Sequence, residues 1–241
     1  MIFMEQLPKL SRVPKHVAII LDGNRRFARK LMMKPWMGHE WGAKKVEALL
    51  NWCHDFKIKE LTLYAFSVDN FNRPKGEFNY LMNLFRKEFG KFKNDPRIEE
   101  RKIRVNFIGR IYMFPRDIQD KMHFLMEKTK ENNGFILNFA MAYGGRQEVI
   151  DAIRKLSLQI KEGKVNVEKI NEETFSKNLY MKDEPELVIR TGGEKRTSNF
   201  LIWQANYSEW IFLEKHWPEF EKEDFILCLQ EYSRRERRFG K

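Results

Sequence analysis

An acid, a glycine and two adjacent arginines stand in the stretch AIILDGNRRFARK, which runs from Ala18 to Lys30. Asp22 follows an apolar run that reads as a buried strand, and Gly23 lets the backbone turn tightly and approach a ligand. If a helix opens here, its first N–H groups point at the strand end and favour a phosphate. Asn24 belongs to the same turn, and Arg25 and Arg26 add permanent charge with fork geometry. A lone carboxylate repels phosphate. A divalent cation bridging the two removes the conflict, and Mg²⁺ does this habitually. The competing reading is an Asp–Arg pair that closes a turn.

Similar chemistry recurs along the chain. In YAFSVDNFNRP, Ser67, Asn70 and Arg73 follow a second strand-like run, with Pro74 opening the next helix; an Asx-type turn with a surface arginine reads equally well. In VIRTGGEKRTSNFLIWQ, Arg190 closes a strand, and Arg196 and Ser198 follow a Gly-Gly turn, a set that can cradle a diphosphate. There is no GxxxxGK[ST] phosphate loop and no GxGxxG dinucleotide fingerprint. Glu209, in YSEWIFLEKHWP, introduces the last strand and is a second carboxylate that could reach the same strand-end crevice, although an edge-of-strand glutamate is ordinary. His39, in WMGHEWG, starts a helix; beside a phosphate and an arginine it could donate a hydrogen bond, although a lone histidine is more often structural.

The elements that must position these groups alternate. Strand-like runs are His16 to Leu21, Glu60 to Phe66, KIRVNFIG, GFILNFAMAY, PELVIR and SEWIFL. Between them lie helical patterns: Val46, Leu49, Leu50 and Cys53; Phe78, Leu81, Met82, Phe85 and Phe89; a segment opened by Pro115; and RQEVIDAIRKLSLQI. A last helix is expected from about Pro218. Such alternation predicts an α/β fold with a parallel sheet covered on both faces, its ligands bound beyond the carboxyl ends of the strands. No linker divides the 241 residues, so the expectation is a single domain over 1–241, with 1–13 a loosely held N-terminal segment.

Charged residues at 33% and apolar ones at 42% exclude a disordered chain. No apolar run reaches the roughly 18 residues of a membrane helix, and the N-terminus lacks a secretory pattern. Cys53 and Cys228 have no zinc or CxxC spacing and read as reduced cysteines. The net charge of +11 calls for an anionic partner. Nucleic acid is not favoured, since no RRM, zinc or helix-turn-helix signature is present and the arginines cluster at strand ends. The 20 phenylalanines suit a large aromatic core or an apolar ligand cavity. Two separated Arg/Ser clusters beside such a cavity point to lipid-like diphosphates.

With HVAIILDGNRRFA, GHEWGAKK, LTLYAFSVDNFNRP, LNFAMAYGGRQEV, LVIRTGGEKRTSNFLIWQANYSEWIFLEKHWPEF and RRERRFG in order, the chain resembles the cis-prenyltransferases, the undecaprenyl diphosphate synthase family, from about Pro14 to Gly240. The resemblance implies a six-stranded, mostly parallel sheet surrounded by helices, with an apolar tunnel. It implies Mg²⁺-dependent, head-to-tail condensation of isopentenyl diphosphate onto an allylic diphosphate (farnesyl, geranyl or geranylgeranyl), with cis double bonds. On this basis Asp22 and Glu209 would hold Mg²⁺, and Asp22, Ser67 and Asn70 would act at the reacting atoms. Gly23, Asn24, Arg25, Arg26, Phe27, His39, Phe71 and Arg73 would bind the allylic substrate, and Arg190, Arg196 and Ser198 the isopentenyl diphosphate. Arg238 and Gly240 would reach the neighbouring subunit's site in a homodimer. The implied enzyme is cytoplasmic and touches membranes only transiently, through its product.

The chain departs from the family pattern at Arg25, Phe27 and Ala142, and at Pro35 with Lys34 beside it. Phe135 replaces a smaller aliphatic; if it lines the tunnel floor, products are shorter. A non-catalytic partner subunit is disfavoured because Asp22 and the loop arginines are kept, while a member making a short or branched product remains an alternative.

Overall fold

Six strands, β1 His16–Ile20, β2 Glu60–Ser67, β3 Ile103–Ile108, β4 Phe135–Tyr143, β5 Leu187–Arg190 and β6 Glu209–Phe212, form one sheet of order β3-β4-β2-β1-β5-β6. Every adjacent pair is parallel. The computed structural model describes residues 8 and 10–235. Parallel strands need covered crossovers, and helices supply them: α1 Asn24–Lys30, α2 Gly38–Asp55, α3 Lys75–Phe92, α4 Pro96–Glu100, α5 Arg116–Thr129, α6 Gly145–Lys161, α7 Glu172–Ser176 and α8 Lys222–Arg234. All five residues of β1 are buried, as a two-face-covered central strand requires. The last helix starts later than expected: Pro218 sits in a 3₁₀ turn over Trp217–Glu219, and α8 begins only at Lys222 behind a capping box of Glu221 and Asp224.

Chain order reverses around β1. The chain passes from β1 to β2 on one side and returns after β4 to β5 on the other. The crevice beyond the carboxyl end of β1 is therefore a topological switch point, where open α/β sheets bind ligands.

The phenylalanines pack largely with one another under α3. Phe66 meets Phe71, Phe85 and Phe114 at 5.1–5.7 Å between ring centroids, and Phe107 stacks on Phe139 at 5.5 Å. At the N-terminal side, Leu10 and Val13 pack on the core, and the Arg12 guanidinium lies 4.3 Å over the Tyr232 ring.

A polar layer crosses the sheet near its amino end. Asn138 donates to Glu60 Oε1 at 2.7 Å and to Thr62 Oγ1 at 3.0 Å, Asn106 donates to Asn138, and His16 Nε2 meets Thr62 Oγ1 at 2.8 Å. Burial pushes the Glu60 carboxyl up to about 7, against the Asn138 hydrogen bond and with help from Asp183, and pulls His16 down to about 3. A carboxyl whose folded pKa is raised costs no stability at low pH. Its cost grows as pH rises from about 4.5 to about 7 and is constant above. Glu60→Gln should therefore match the parent in thermal unfolding near pH 4.5 and exceed it at pH 8, by up to about 3 kcal/mol. An equal difference at both pH values would contradict the assignment.

Candidate active site

Asp22 is placed by the backbone around it rather than by its own side chain. Its carbonyl accepts from Trp217 N–H at 2.9 Å and Thr191 Oγ1 at 2.8 Å, and its N–H donates to Thr191 Oγ1 at 3.1 Å. Gly23 turns the chain at φ 99°, and a Cβ there would lie 2.9 Å from His216 Cα. Gly192, at φ 90°, approaches so closely that a Cβ would lie 3.0 Å from the Asp22 carbonyl carbon. A side chain at either glycine would meet both a collision and left-handed backbone strain.

The Asp22 carboxylate sits among cations. Oδ1 accepts from Gly23 N–H at 2.6 Å and lies 3.2 Å from Arg26 Nη2, while Oδ2 accepts from Arg190 Nη2 at 2.9 Å. The Asp–Arg pairing anticipated as a competing reading is thus real, with Arg26 and Arg190 as its partners. Arg190 is only 3% exposed. Its Nη1 donates to Ser198 Oγ at 2.7 Å and to the Arg196 carbonyl, which folds the loop after β5 around the guanidinium. Ser198 and Asn199 both hold positive φ. Asn199 closes that loop onto α6 by accepting the Gly145 and Arg146 N–H groups. The Nε atom of Arg190 is buried with no hydrogen-bond acceptor among the described residues. Such an orphaned donor fits an anion.

A second cluster forms where β2 ends. Arg73 Nη1 donates to Glu77 Oε1 at 2.6 Å and lies 3.3 Å from His39 Nε2. Burial, reinforced by Arg73 and Arg25, holds His39 down at about 3, so its ring is neutral and accepts from Arg73. Arg25 is placed by the same acid, 3.6 Å from Glu77. Ser67 and Asn70 form a capping box: Ser67 Oγ accepts from Asp69 N–H, and Asn70 Oδ1 accepts from Ser67 N–H. The Asx-type turn is therefore present, and Ser67, Asn70 and Arg73 also line the cavity.

That cavity, of about 250 Å³, opens at Asp22, Asn24, His39, Ser67, Asn70, Arg73, Arg190 and Ser198. Behind this polar mouth run Val46 from α2, Leu81, Leu84 and Phe85 from α3, and Phe66, Phe139 and Met141 from the sheet. Its far end is charged again, with Glu47, Glu88, Lys91 and Asp95. Arg97 ties that end together, bonding Asp95 and lying 3.5 Å from Glu47.

Several expected residues stand elsewhere. Gly23 and Arg26 border the mouth, and Arg196 pairs with Glu194 on the exposed loop. Phe27 packs edge-on against Trp41 at 5.7 Å, and Phe71 belongs to the aromatic cluster under α3. Glu209 is not brought to Asp22. It begins β6 in register with Leu187, the first residue of β5, whereas Asp22 lies beyond the opposite end of the neighbouring strand. The strand length alone separates those ends by about 10 Å, and Glu209 pairs instead with Arg235 at 2.9 Å. Phe135 likewise starts its strand and lines a separate hollow with Leu50, Lys59 and Arg101; Phe139, further along β4, lines the cavity. Arg238 and Gly240 lie outside the described residues.

Sequence reasoning missed Glu77, Glu194, Thr191 and Tyr64, whose hydroxyl donates to the Tyr143 and Ser198 carbonyls. Glu77 had one weak signal, its place four residues after Arg73, but Arg73 lies in extended backbone ahead of α3, so helical spacing does not pair them. It is 2% exposed and faces two arginines. Glu77→Gln should cost about 1–3 kcal/mol of stability, less than a fully buried pair because both arginines are partly exposed. It should also tighten inorganic diphosphate, measured as a larger ligand-induced rise in melting temperature. Unchanged melting with and without diphosphate would count against this role.

A pocket that is cationic at its mouth and greasy beyond it suits an amphiphile with a phosphorylated head, and so defines an α/β protein that handles lipid-like diphosphates. The chain belongs to the prenyltransferase family described as undecaprenyl diphosphate synthase, which matches residues 20–240. It is 47% identical over 231 residues to a tritrans,polycis-undecaprenyl-diphosphate synthase (geranylgeranyl-diphosphate specific) of Pyrococcus horikoshii, covering 95% of this chain and 88% of that one. To the enzyme of the same name from Methanopyrus kandleri it is 45% identical over 240 residues, 99% of this chain and 89% of that one. The crystal structure of lavandulyl diphosphate synthase from Lavandula x intermedia, in complex with dimethylallyl diphosphate, superposes with a TM-score of 0.91 at 32% identity, over 95% of this chain and 99% of that one. The chain is a cis-prenyltransferase, a transferase that condenses isopentenyl diphosphate onto an allylic diphosphate to give a polyprenyl diphosphate.

Proposed function

We propose that the allylic primer is geranylgeranyl diphosphate, as in the printed names of the archaeal relatives, and that the reaction needs Mg²⁺. The observation that carries this reading is the Asp22 carboxylate held between Arg26 and Arg190 at the open end of an apolar cavity. The donor set fits the ion. Among the described residues no group of three or more His, Cys, Asp or Glu side chains could hold a metal. Mg²⁺ keeps several waters and uses one or two carboxylates plus substrate phosphates, so Asp22 would hold it together with the diphosphate. When bound, Mg²⁺ neutralises charge on the departing diphosphate.

The chain's own residues do the rest. The α1 turn with Asn24 and Arg26, and Arg73 with neutral His39 behind it, hold the allylic diphosphate. Arg190, Ser198 and Arg196 hold the second one, so that two substrates meet end to end. Ser67 and Asn70 border the reacting carbons. The apolar wall from Val46 to Phe139 takes up the growing chain and excludes water. A homodimer belongs to the proposal: Ile150 and Ile153 on α6 are each 47% exposed, with Ile202 44% exposed beside the start of that helix. Arg238 and Gly240 would then act on the neighbouring site.

Incorporation of labelled isopentenyl diphosphate with geranyl, farnesyl and geranylgeranyl primers, with and without chelator, tests the proposal. The expected result is chelator-sensitive incorporation, highest with geranylgeranyl diphosphate. Incorporation that is indifferent to chelator, or a clear preference for a shorter primer, overturns the corresponding part.

A further inference from the structure

The segment joining α1 to α2 carries an apolar tip where chain geometry and water both disfavour one. Helix α1 ends in a Schellman motif: Met32 N–H donates to the Arg29 carbonyl and Met33 N–H to the Ala28 carbonyl, both at 2.9 Å. The residue after the cap in this motif takes left-handed backbone and is usually glycine. Here it is Met32, at φ 55° and 96% exposed. Leu31, Met37 and Trp41 are exposed around it at 45%, 39% and 50%.

Cations ring this patch. Lys34 lies 5.9 Å over the Trp36 ring and Lys44 5.8 Å over Trp41, with Arg29 and Lys30 exposed on the last turn of α1. The nearby acids are Glu219, paired with Lys30 at 2.8 Å, and Glu40 in the first turn of α2. The same two helices supply Asn24, His39 and Ala43 to the cavity mouth.

We propose that this patch docks on a bilayer carrying anionic headgroups, with Met32 and Leu31 inserting and the lysines and arginine meeting the headgroups. Apolar side chains beside a basic rim are the composition of a surface that lies in a membrane interface. The strain stored at Met32 is then accounted for, because the position is chosen for what it inserts into. Docking sets the cavity mouth at the lipid surface, where a long-chain primer resides. This goes beyond the proposed reaction and does not depend on it.

The test is flotation of the full chain with vesicles of phosphatidylcholine alone and of phosphatidylcholine with phosphatidylglycerol, at low and high salt. The parent should float with the anionic vesicles and lose most of that binding at high salt. Met32→Gly should bind at least about fivefold more weakly while melting at or above the parent temperature, because glycine relieves the backbone. Leu31→Gln should weaken binding likewise. Both variants should keep the parent's turnover with a water-soluble geranyl primer. Failure of the parent to float, or equal flotation of parent and variants, overturns the proposal. Absence of prenyl transfer with both geranyl and geranylgeranyl primers, with flotation intact, overturns the reaction reading alone.

Discussion

Asp22→Ala should lose at least about 1,000-fold in turnover while the protein stays folded and still binds diphosphate. The fold survives because Thr191 and Trp217 hold the Asp22 backbone through its own N–H and carbonyl. Binding survives, and should tighten for metal-free inorganic diphosphate, because Arg26 and Arg190 lose the carboxylate that now neutralises them. The variant thus separates two roles that a simple loss of activity would merge. Turnover and calorimetric diphosphate affinity would be measured side by side. Turnover retained within tenfold would remove Asp22 from the chemistry, and lost diphosphate binding would show that it positions the arginines instead.

Arg190→Met should lower kcat/KM for isopentenyl diphosphate by roughly 100- to 1,000-fold, with a rise in KM. Arg190 is one of few buried charges in the fold, and its fork satisfies Asp22, Ser198 and the Arg196 carbonyl together. Removing it leaves the loop after β5 without its organiser, so melting should also fall. Arg190→Lys keeps the charge but cannot span those acceptors. It should recover part of the stability and little of the KM. A lysine variant with the parent's KM would show that charge alone suffices there.

All six strands were readable from the sequence because buried parallel strands are short β-branched or aromatic runs between helical periods. The arginines at strand ends were readable for the same reason. Where an apolar run stops at the carboxyl end of a parallel sheet, polar residues face the crevice. Glu209 and Phe135 stand away from the cavity for a reason of direction. Each begins a strand, and in a parallel sheet that puts both at the edge opposite Asp22. Glu77 was hidden because an acid in the first turn of a helix ordinarily faces water and the helix dipole; only the tertiary fold turns it inward against Arg25 and Arg73. Thr191 and Trp217 were hidden because their contacts with Asp22 cross from one strand end to another.

If the product grows along this cavity, its charged far end gives elongation a thermodynamic stop. Each isoprene unit added at the mouth would then push the tail past Leu84, Phe85 and Phe139 at a gain in buried apolar surface. A tail that arrives at Glu47, Asp95 and Arg97 can advance only by stripping water from ions. The ruler then ends in a solvation penalty rather than a wall, so product length should drift upward with additives that hydrate the tail in place of the enzyme, such as mild detergent.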